Sequence, residues 1–189
     1  MIHIEKIIVH AVNAALQDKR VIARKRGNKI ILAKSPTINK NRLPSAAQEE
    51  NINKFKAAAA YGRMAMKDPD LEEIYSEKAT MEESAYNRAV RDYLVSPKVK
   101  SIDASAYDGK IDSTILVKAS DDFLVKEVWV NIFSAEGDLV EEGPATIDPY
   151  FRIKWYYNAT RNIAKVQGCT IRAVAKDLPG NTGKLEINL

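Results

Sequence analysis

Reactive side chains are scarce in this chain. Its 189 residues include one cysteine, Cys169, and two histidines, His3 and His10. A single cysteine excludes an internal disulfide. Its setting between Gly168 and Thr170, at the start of a β-like run, predicts a buried thiol that packs as a small hydrophobe. A nucleophilic cysteine would want an imidazole, and both histidines lie far away along the chain. There is no Gly-rich phosphate loop, no metal-spaced His/Cys set and no Gly-x-Ser-x-Gly elbow. The acid pair Glu72/Glu73 falls on a predicted helix, where solvent exposure is the default. These absences argue against an enzyme and against a cofactor.

Long apolar runs are missing too. No window approaches the ~18 uninterrupted apolar residues that a membrane-spanning helix needs. The opening Met1-Ile-His-Ile-Glu-Lys6 lacks the basic-then-apolar order and small-residue cleavage site of a secretory leader. The expectation is a cytoplasmic or particle-associated protein, unless a precursor segment is missing. A hydrophobic fraction of 46% with 29% charged residues is that of an ordinary soluble globular protein. The length suits one large domain or two small ones.

Charge is unevenly spread. Residues 1–44 carry ten Lys/Arg against two acids, whereas residues 45–96 carry seven against ten and residues 97–189 twelve against thirteen. Residues 1–44 are thus +8 by themselves within a chain of net charge +4, and the basic character belongs to that segment alone.

That segment reads first as a strand or the opening of a helix over Ile2–Val9. A β-hairpin follows, in which Arg20–Arg24 and Lys29–Ala33 flank a Gly27-Asn28 turn. Ser35–Pro44 is a proline-bounded loop. The period then changes. Ser45-Ala-Ala-Gln48 fits a capping box, and the helix after it puts Ile52, Phe55, Ala59 and Met66 on one stripe. The run Ala57–Ala60 would allow close approach of a neighbouring element. Asp68-Pro69 starts a short helix carrying Leu71, Ile74 and Tyr75. Thr80-Met-Glu-Glu83 reads as a second capping box, opening a helix with Ala85, Tyr86, Ala89, Val90, Tyr93 and Leu94 on its buried side. Ser96-Pro97 ends it.

After Pro97 the pattern is β throughout, with strands expected at 98–103, 112–119, 125–133, 138–142, 150–158, 169–176 and 184–189. Alternation predicts inward positions at Ile115, Val117 and Ala119, at Val128, Val130 and Ile132, at Phe151, Ile153, Trp155 and Tyr157, and at Ile171, Ala173 and Ala175. Turn signals separate the strands at Asp108-Gly109, Glu136-Gly-Asp138, Asp148-Pro149 and Leu178-Pro-Gly-Asn181. This order of strands and turns resembles a bacterial immunoglobulin-like domain. The resemblance covers about half the chain and implies an immunoglobulin-like β-sandwich at 97–189; with the basic β-hairpin and helical domain read at 1–96, the expected fold class is α+β. Such scaffolds bind, space or assemble, and rarely catalyse.

Three features invite a functional reading. Asp121, Asp122, Asp177 and Asn181 could gather at one end of the sandwich and hold Ca²⁺, or they could close their own turns. The cations Lys19, Arg20, Arg24, Lys25, Arg26 and Lys29 could track a nucleic-acid backbone or contact an acidic protein neighbour. The neighbour could be another copy's 68–83 segment; the plainest alternative is a solvated face that discourages edge pairing. Aromatics for base stacking are absent from residues 1–54. Trp129 has the opposite parity to Val128 and Val130, which turns it outward as a binding surface or domain contact, or leaves it in inter-sheet packing. Asn158-Ala-Thr160 matches a glycosylation acceptor, and without a secretory leader the expectation is a chance match.

The N-terminal half, with its basic hairpin, Ser45-Ala-Ala-Gln-x-x-Asn51, Phe55 and Asp68-Pro-Asp70, resembles a group of small bacterial and phage-like proteins. That group brings no catalytic residues to transfer, and some members carry an immunoglobulin-like tail. The resemblance implies a non-enzymatic structural or protein-interaction module within a larger assembly, partnered by protein subunits. The alternatives are a nucleic-acid-associated protein using the 19–29 hairpin, and a surface adhesion or glycan-binding protein, which would need an export route.

Overall fold

The computed structural model describes residues 21–26, 29–34, 43–80 and 83–189. Lys19, Arg20, the Gly27-Asn28 turn and the expected element at Ile2–Val9 lie outside the described residues. The fold is α+β. Strands β1 (Val21–Arg26) and β2 (Lys29–Lys34) form an antiparallel two-stranded sheet with Arg26 opposite Lys29.

Three helices follow. The first, α1 (Ala46–Ala65), begins with the expected capping box: Gln48 N donates to Ser45 Oγ at 3.3 Å, and Ser45 N donates to Gln48 Oε1 at 2.9 Å. Its buried side is not the expected stripe. Ala58, Gly62 and Ala65 face inward, while Ile52 and Phe55 are exposed. Small residues win this face because α3 (Ala85–Leu94) crosses so closely that a methyl on Gly62 would press on Val90 and Tyr86. Helix α2 (Pro69–Glu77) is capped by Asp68, whose carboxylate accepts from the Asp70 and Leu71 amides, and Pro69 occupies its first turn.

The Thr80–Glu83 capping box is corrected. Thr80 and Glu83 hydrogen-bond each other, and Ser84 caps α3 by accepting from Asn87 N. Leu94, expected on the buried side, is exposed.

Beyond Pro97 lie two four-stranded antiparallel sheets. One has the order β3-β4-β8-β7, with β3 (Lys98–Asp103), β4 (Thr114–Ser120), β8 (Lys154–Asn158) and β7 (Thr146–Ile147). The other has the order β10-β9-β5-β6, with β10 (Thr182–Asn188), β9 (Thr170–Asp177), β5 (Val125–Phe133) and β6 (Leu139–Pro144). A-B-E-D facing G-F-C is the strand order of an immunoglobulin sandwich, here with β6 added at one edge. The core follows from alternation: Ile115, Val117, Val128, Val130, Ile132, Trp155, Tyr157, Ile171, Ala173 and Ala175 are buried between the sheets. Burying each Val or Ile contributes roughly 1.5–3 kcal/mol.

Phe151 and Ile153 break the expected alternation and are exposed. The Asp148 carboxylate accepts from the Tyr150 and Phe151 amides, and Lys154 N donates to Phe151 O, so a turn occupies the first half of the expected strand. Where β10 meets the start of β3, a Cβ on Gly183 would overlap the Pro97 carbonyl, so only glycine lets the chain segments approach.

A second apolar cluster joins the helices to one end of the sandwich. Ala65, Tyr75 and Ala89 from the helices pack with Phe123, supported by Leu71, Ile74, Leu124 and Leu178. The Tyr75 and Phe123 rings lie 4.7 Å apart.

Candidate cation site and exposed surfaces

At this junction the chain gathers carboxylates. Asp92 lies on the stripe of α3 that carries Ala85 and Ala89, and that stripe faces the second apolar cluster. The side chain is consequently fully buried. Its Oδ2 accepts a 2.5 Å hydrogen bond from the Tyr75 hydroxyl, which is itself 2.9 Å from the Tyr61 hydroxyl. Asp121 and Asp122 arrive from the β4–β5 connection. Asp121 Oδ2 accepts from the Phe123 and Leu124 amides at 3.0 and 3.2 Å, which closes the turn and orients the carboxylate. Asp122 Oδ2 accepts from Arg91 Nε at 2.8 Å on the outer side. One oxygen from each of Asp92, Asp121 and Asp122 lies within 4.8 Å of the others. Asp92 Oδ1 and Asp121 Oδ1 are buried without a hydrogen-bond donor.

The electrostatics follow from that crowding. Burial pushes the Asp92 carboxyl up to about 7; the Tyr75 hydrogen bond opposes the shift, and the charges of Asp121, Asp177 and Asp122 add to it. Burial likewise raises the Tyr75 phenol, reinforced by its hydrogen bond to Asp92. An all-oxygen donor set with two unsatisfied buried oxygens is chemistry suited to a hard cation.

The expected cluster at the end of the sandwich joins Asp121 and Asp122 with Asp177 and Asn181. The structure brings the first two together with Asp92 and uses the other two differently. Asp177 continues the inward parity of Ile171, Ala173 and Ala175 and is buried. Its Oδ1 accepts from the Gly180 and Asn181 amides, and its Oδ2 accepts from Asn181 Nδ2 at 2.8 Å. Gly180, with φ of +97°, supplies the left-handed residue that this turn needs. Both carboxylate oxygens of Asp177 are thus spent on its own turn. The Asn181 amide also reaches the Asp92 and Tyr93 carbonyls at 3.4 and 3.2 Å, capping the C-terminal end of α3.

Among the basic candidates, Arg24 on β1 and Lys29 on β2 are exposed; Lys25 and Arg26 belong to β1. Every residue of β2 is exposed, including Ile30, Ile31 and Leu32. Trp129 faces outward, 40% exposed, with Nε1 donating to Glu127 Oε2 at 3.1 Å. Cys169 is buried and free, and burial raises its thiol.

No protein-family model matches the chain, and no curated protein sequence matches it. Solved structures match part of the chain at low similarity. CopC from Methylosinus trichosporium OB3b is 17% identical, with a TM-score of 0.35 over 49% of this chain and 91% of that one. A tetra-tandem repeat from the extending region of a large adhesion protein is 20% identical, with a TM-score of 0.33 over 50% of this chain and 23% of that one. An engineered protein is 13% identical, with a TM-score of 0.30 over 58% of this chain and 29% of that one. Likeness of this degree assigns neither ligand nor activity.

Two features escaped the sequence reading. Asp92 sits at i+3 from Ala89 and i+7 from Ala85, a polar residue on the apolar stripe, and that placement was the available signal. The turn Tyr150-Phe151-Arg152-Ile153 is an exposed aromatic projection, with Lys154 Nζ 4.3 Å from the Phe151 ring centroid. Its signal was Asp148 ahead of Pro149, an Asp able to accept from the amides two and three residues on.

Proposed function

We propose that this chain is a non-enzymatic interaction module that joins protein subunits, beginning with other copies of itself, through the β1–β2 hairpin. The observation that carries the reading is a two-stranded sheet with Ile30, Ile31 and Leu32 all exposed on one of its strands. A two-stranded hairpin is marginal in water by itself, and adjacent exposed apolar residues on such a sheet suit burial against a partner. Charge complementarity favours a second copy. Residues 21–34 hold five Lys/Arg and no acid, and α2 exposes Asp70, Glu72, Glu73 and Glu77. The sandwich would then fix spacing or present a surface.

Size-exclusion chromatography with light scattering tests this. The wild type should exceed the monomer mass, and Ile31→Asp with Leu32→Asp should return it to monomer while circular dichroism is unchanged. A wild type that stays monomeric at high concentration and captures no partner would refute the reading.

A second reading, nucleic-acid association, is favoured by the exposure of Arg24 and Lys29 on a strand pair without acids. It predicts duplex binding that weakens steeply with salt and disappears in an Arg24→Ala, Lys25→Ala, Arg26→Ala triple variant. Binding that survives this change would exclude the hairpin as the nucleic-acid site.

A further inference from the structure

We propose that Asp92, Asp121 and Asp122 form a Ca²⁺ site that fastens helix α3 to the β4–β5 connection of the sandwich. The proposal stands apart from the hairpin reading and rests on the junction's geometry. Three carboxylates from two separate elements offer one oxygen each within a 4.8 Å span. Asp92 is fully buried, and its Oδ1 has no donor; Asp121 Oδ1 is buried in the same condition. A buried polar atom without a partner is costly, and a buried carboxylate more so. Two such atoms in one acidic cluster point to a missing positive charge.

The remaining oxygens are already engaged in ways that aim the carboxylates. Tyr75 holds Asp92 Oδ2, the Phe123 and Leu124 amides hold Asp121 Oδ2, and Arg91 holds Asp122 Oδ2. Outer partners of this kind orient metal ligands and leave one oxygen of each to coordinate. Nearby cations do not satisfy the inner side. Arg91 bridges Asp122 to Glu83 at the surface, and Arg88 pairs with Glu83 at 2.7 Å.

The donor set selects the ion. Three carboxylates without a histidine or thiol suit a hard cation rather than zinc or copper. The site is open at Asp122, which is exposed, so waters can complete an irregular shell of six to eight oxygens. Mg²⁺ demands a stricter octahedron and gives up its waters reluctantly, which disfavours a site with two buried ligands. The competing occupant is a proton shared between Asp92 and Asp121.

Isothermal titration calorimetry and thermal unfolding of the full chain, stripped with EDTA and titrated with CaCl₂ or MgCl₂ at constant ionic strength and pH 8, decide between them. One equivalent of Ca²⁺ should bind and raise Tm by roughly 5–10 °C at a hundredfold excess over Kd. Mg²⁺ should do this at least tenfold less effectively. Asp92→Asn supplies an amide that can donate to Asp121, so it should fold, gain stability in EDTA and lose the Ca²⁺ response. Asp122→Asn, at the exposed rim, should weaken Ca²⁺ binding at least tenfold without unfolding the chain. Absence of heat and of a Ca²⁺-dependent Tm shift in the wild type would overturn the site in favour of the shared proton. A full Ca²⁺ response retained in both variants would overturn it in favour of a site elsewhere.

Discussion

The side-chain amide of Asn181 donates to the Tyr93 carbonyl at 3.2 Å, although the two residues lie 88 positions apart. A turn of the sandwich thereby caps the end of a helix that precedes the whole sandwich. The same amide donates to Asp177 Oδ2, so one side chain ties the last β-turn to α3. Replacing Asn181 by Ala should leave two helix-end carbonyls and one Asp177 oxygen without that donor. The expected loss is about 1–3 kcal/mol, read from the urea midpoint with the m-value unchanged.

Asp92 makes stability depend on pH in the cation-free protein. Its carboxyl is raised to about 7 when folded, whereas the ordinary value is 3.8, so the folded chain holds a proton that the unfolded chain releases. The stabilisation is complete below the ordinary carboxylate range and is lost as pH rises through about 7. The groups facing it are Tyr75 from α2, Asp121 and Asp122 from the β4–β5 connection, and Asp177 from the end of β9. In EDTA, the urea midpoint should fall between pH 5.5 and 8, and Asp92→Asn should flatten that slope. An unchanged slope in the variant would assign the proton to another residue.

Of the glycines in the sandwich, Gly183 leaves the least room for a side chain. Gly183→Ala should cost at least 1–3 kcal/mol, the usual penalty of overpacking, because its methyl meets the Pro97 carbonyl rather than a flexible side chain. Gly137→Ala, where nothing lies within 4 Å, faces only the cost of its positive φ and should be the milder change.

The aromatic turn and strand β8 provide a paired test of which aromatics hold the fold. Tyr150 and Phe151 are exposed, so Tyr150→Ser with Phe151→Ser should move stability by less than about 0.5 kcal/mol per site. Trp155 is 5% exposed in the sandwich core, and Trp155→Ala should cost about 3–5 kcal/mol. Equal losses in the two variants would mean that the turn is packed.

The legibility of this chain follows from which interactions are local. The capping box at Ser45, Pro69 at the start of α2 and the period-two runs of β4, β5 and β9 all involve residues close in sequence, and each was readable. Failures came where a distant neighbour set the outcome. Ile52 and Phe55 had the right spacing for a buried stripe, but the close crossing of α1 and α3 selected Ala58, Gly62 and Ala65 instead. The exception is local: Phe151 and Ile153 alternate correctly with Trp155, yet the Asp148 carboxylate accepts from the Tyr150 and Phe151 amides and turns that segment outward.

The sequence by itself determined the alternating β-pattern after Pro97, the basic bias of the first 44 residues and the outward parity of Trp129, because these depend on residue type and spacing alone. Only the tertiary structure decided that Asp121 and Asp122 would meet Asp92 rather than Asp177. Those carboxylates come from elements separated by a helix end and two strands, and Asp92 is buried where the helical cluster closes over Phe123. No local rule carries that information, since the solvation of a carboxylate is set by whatever packs against it.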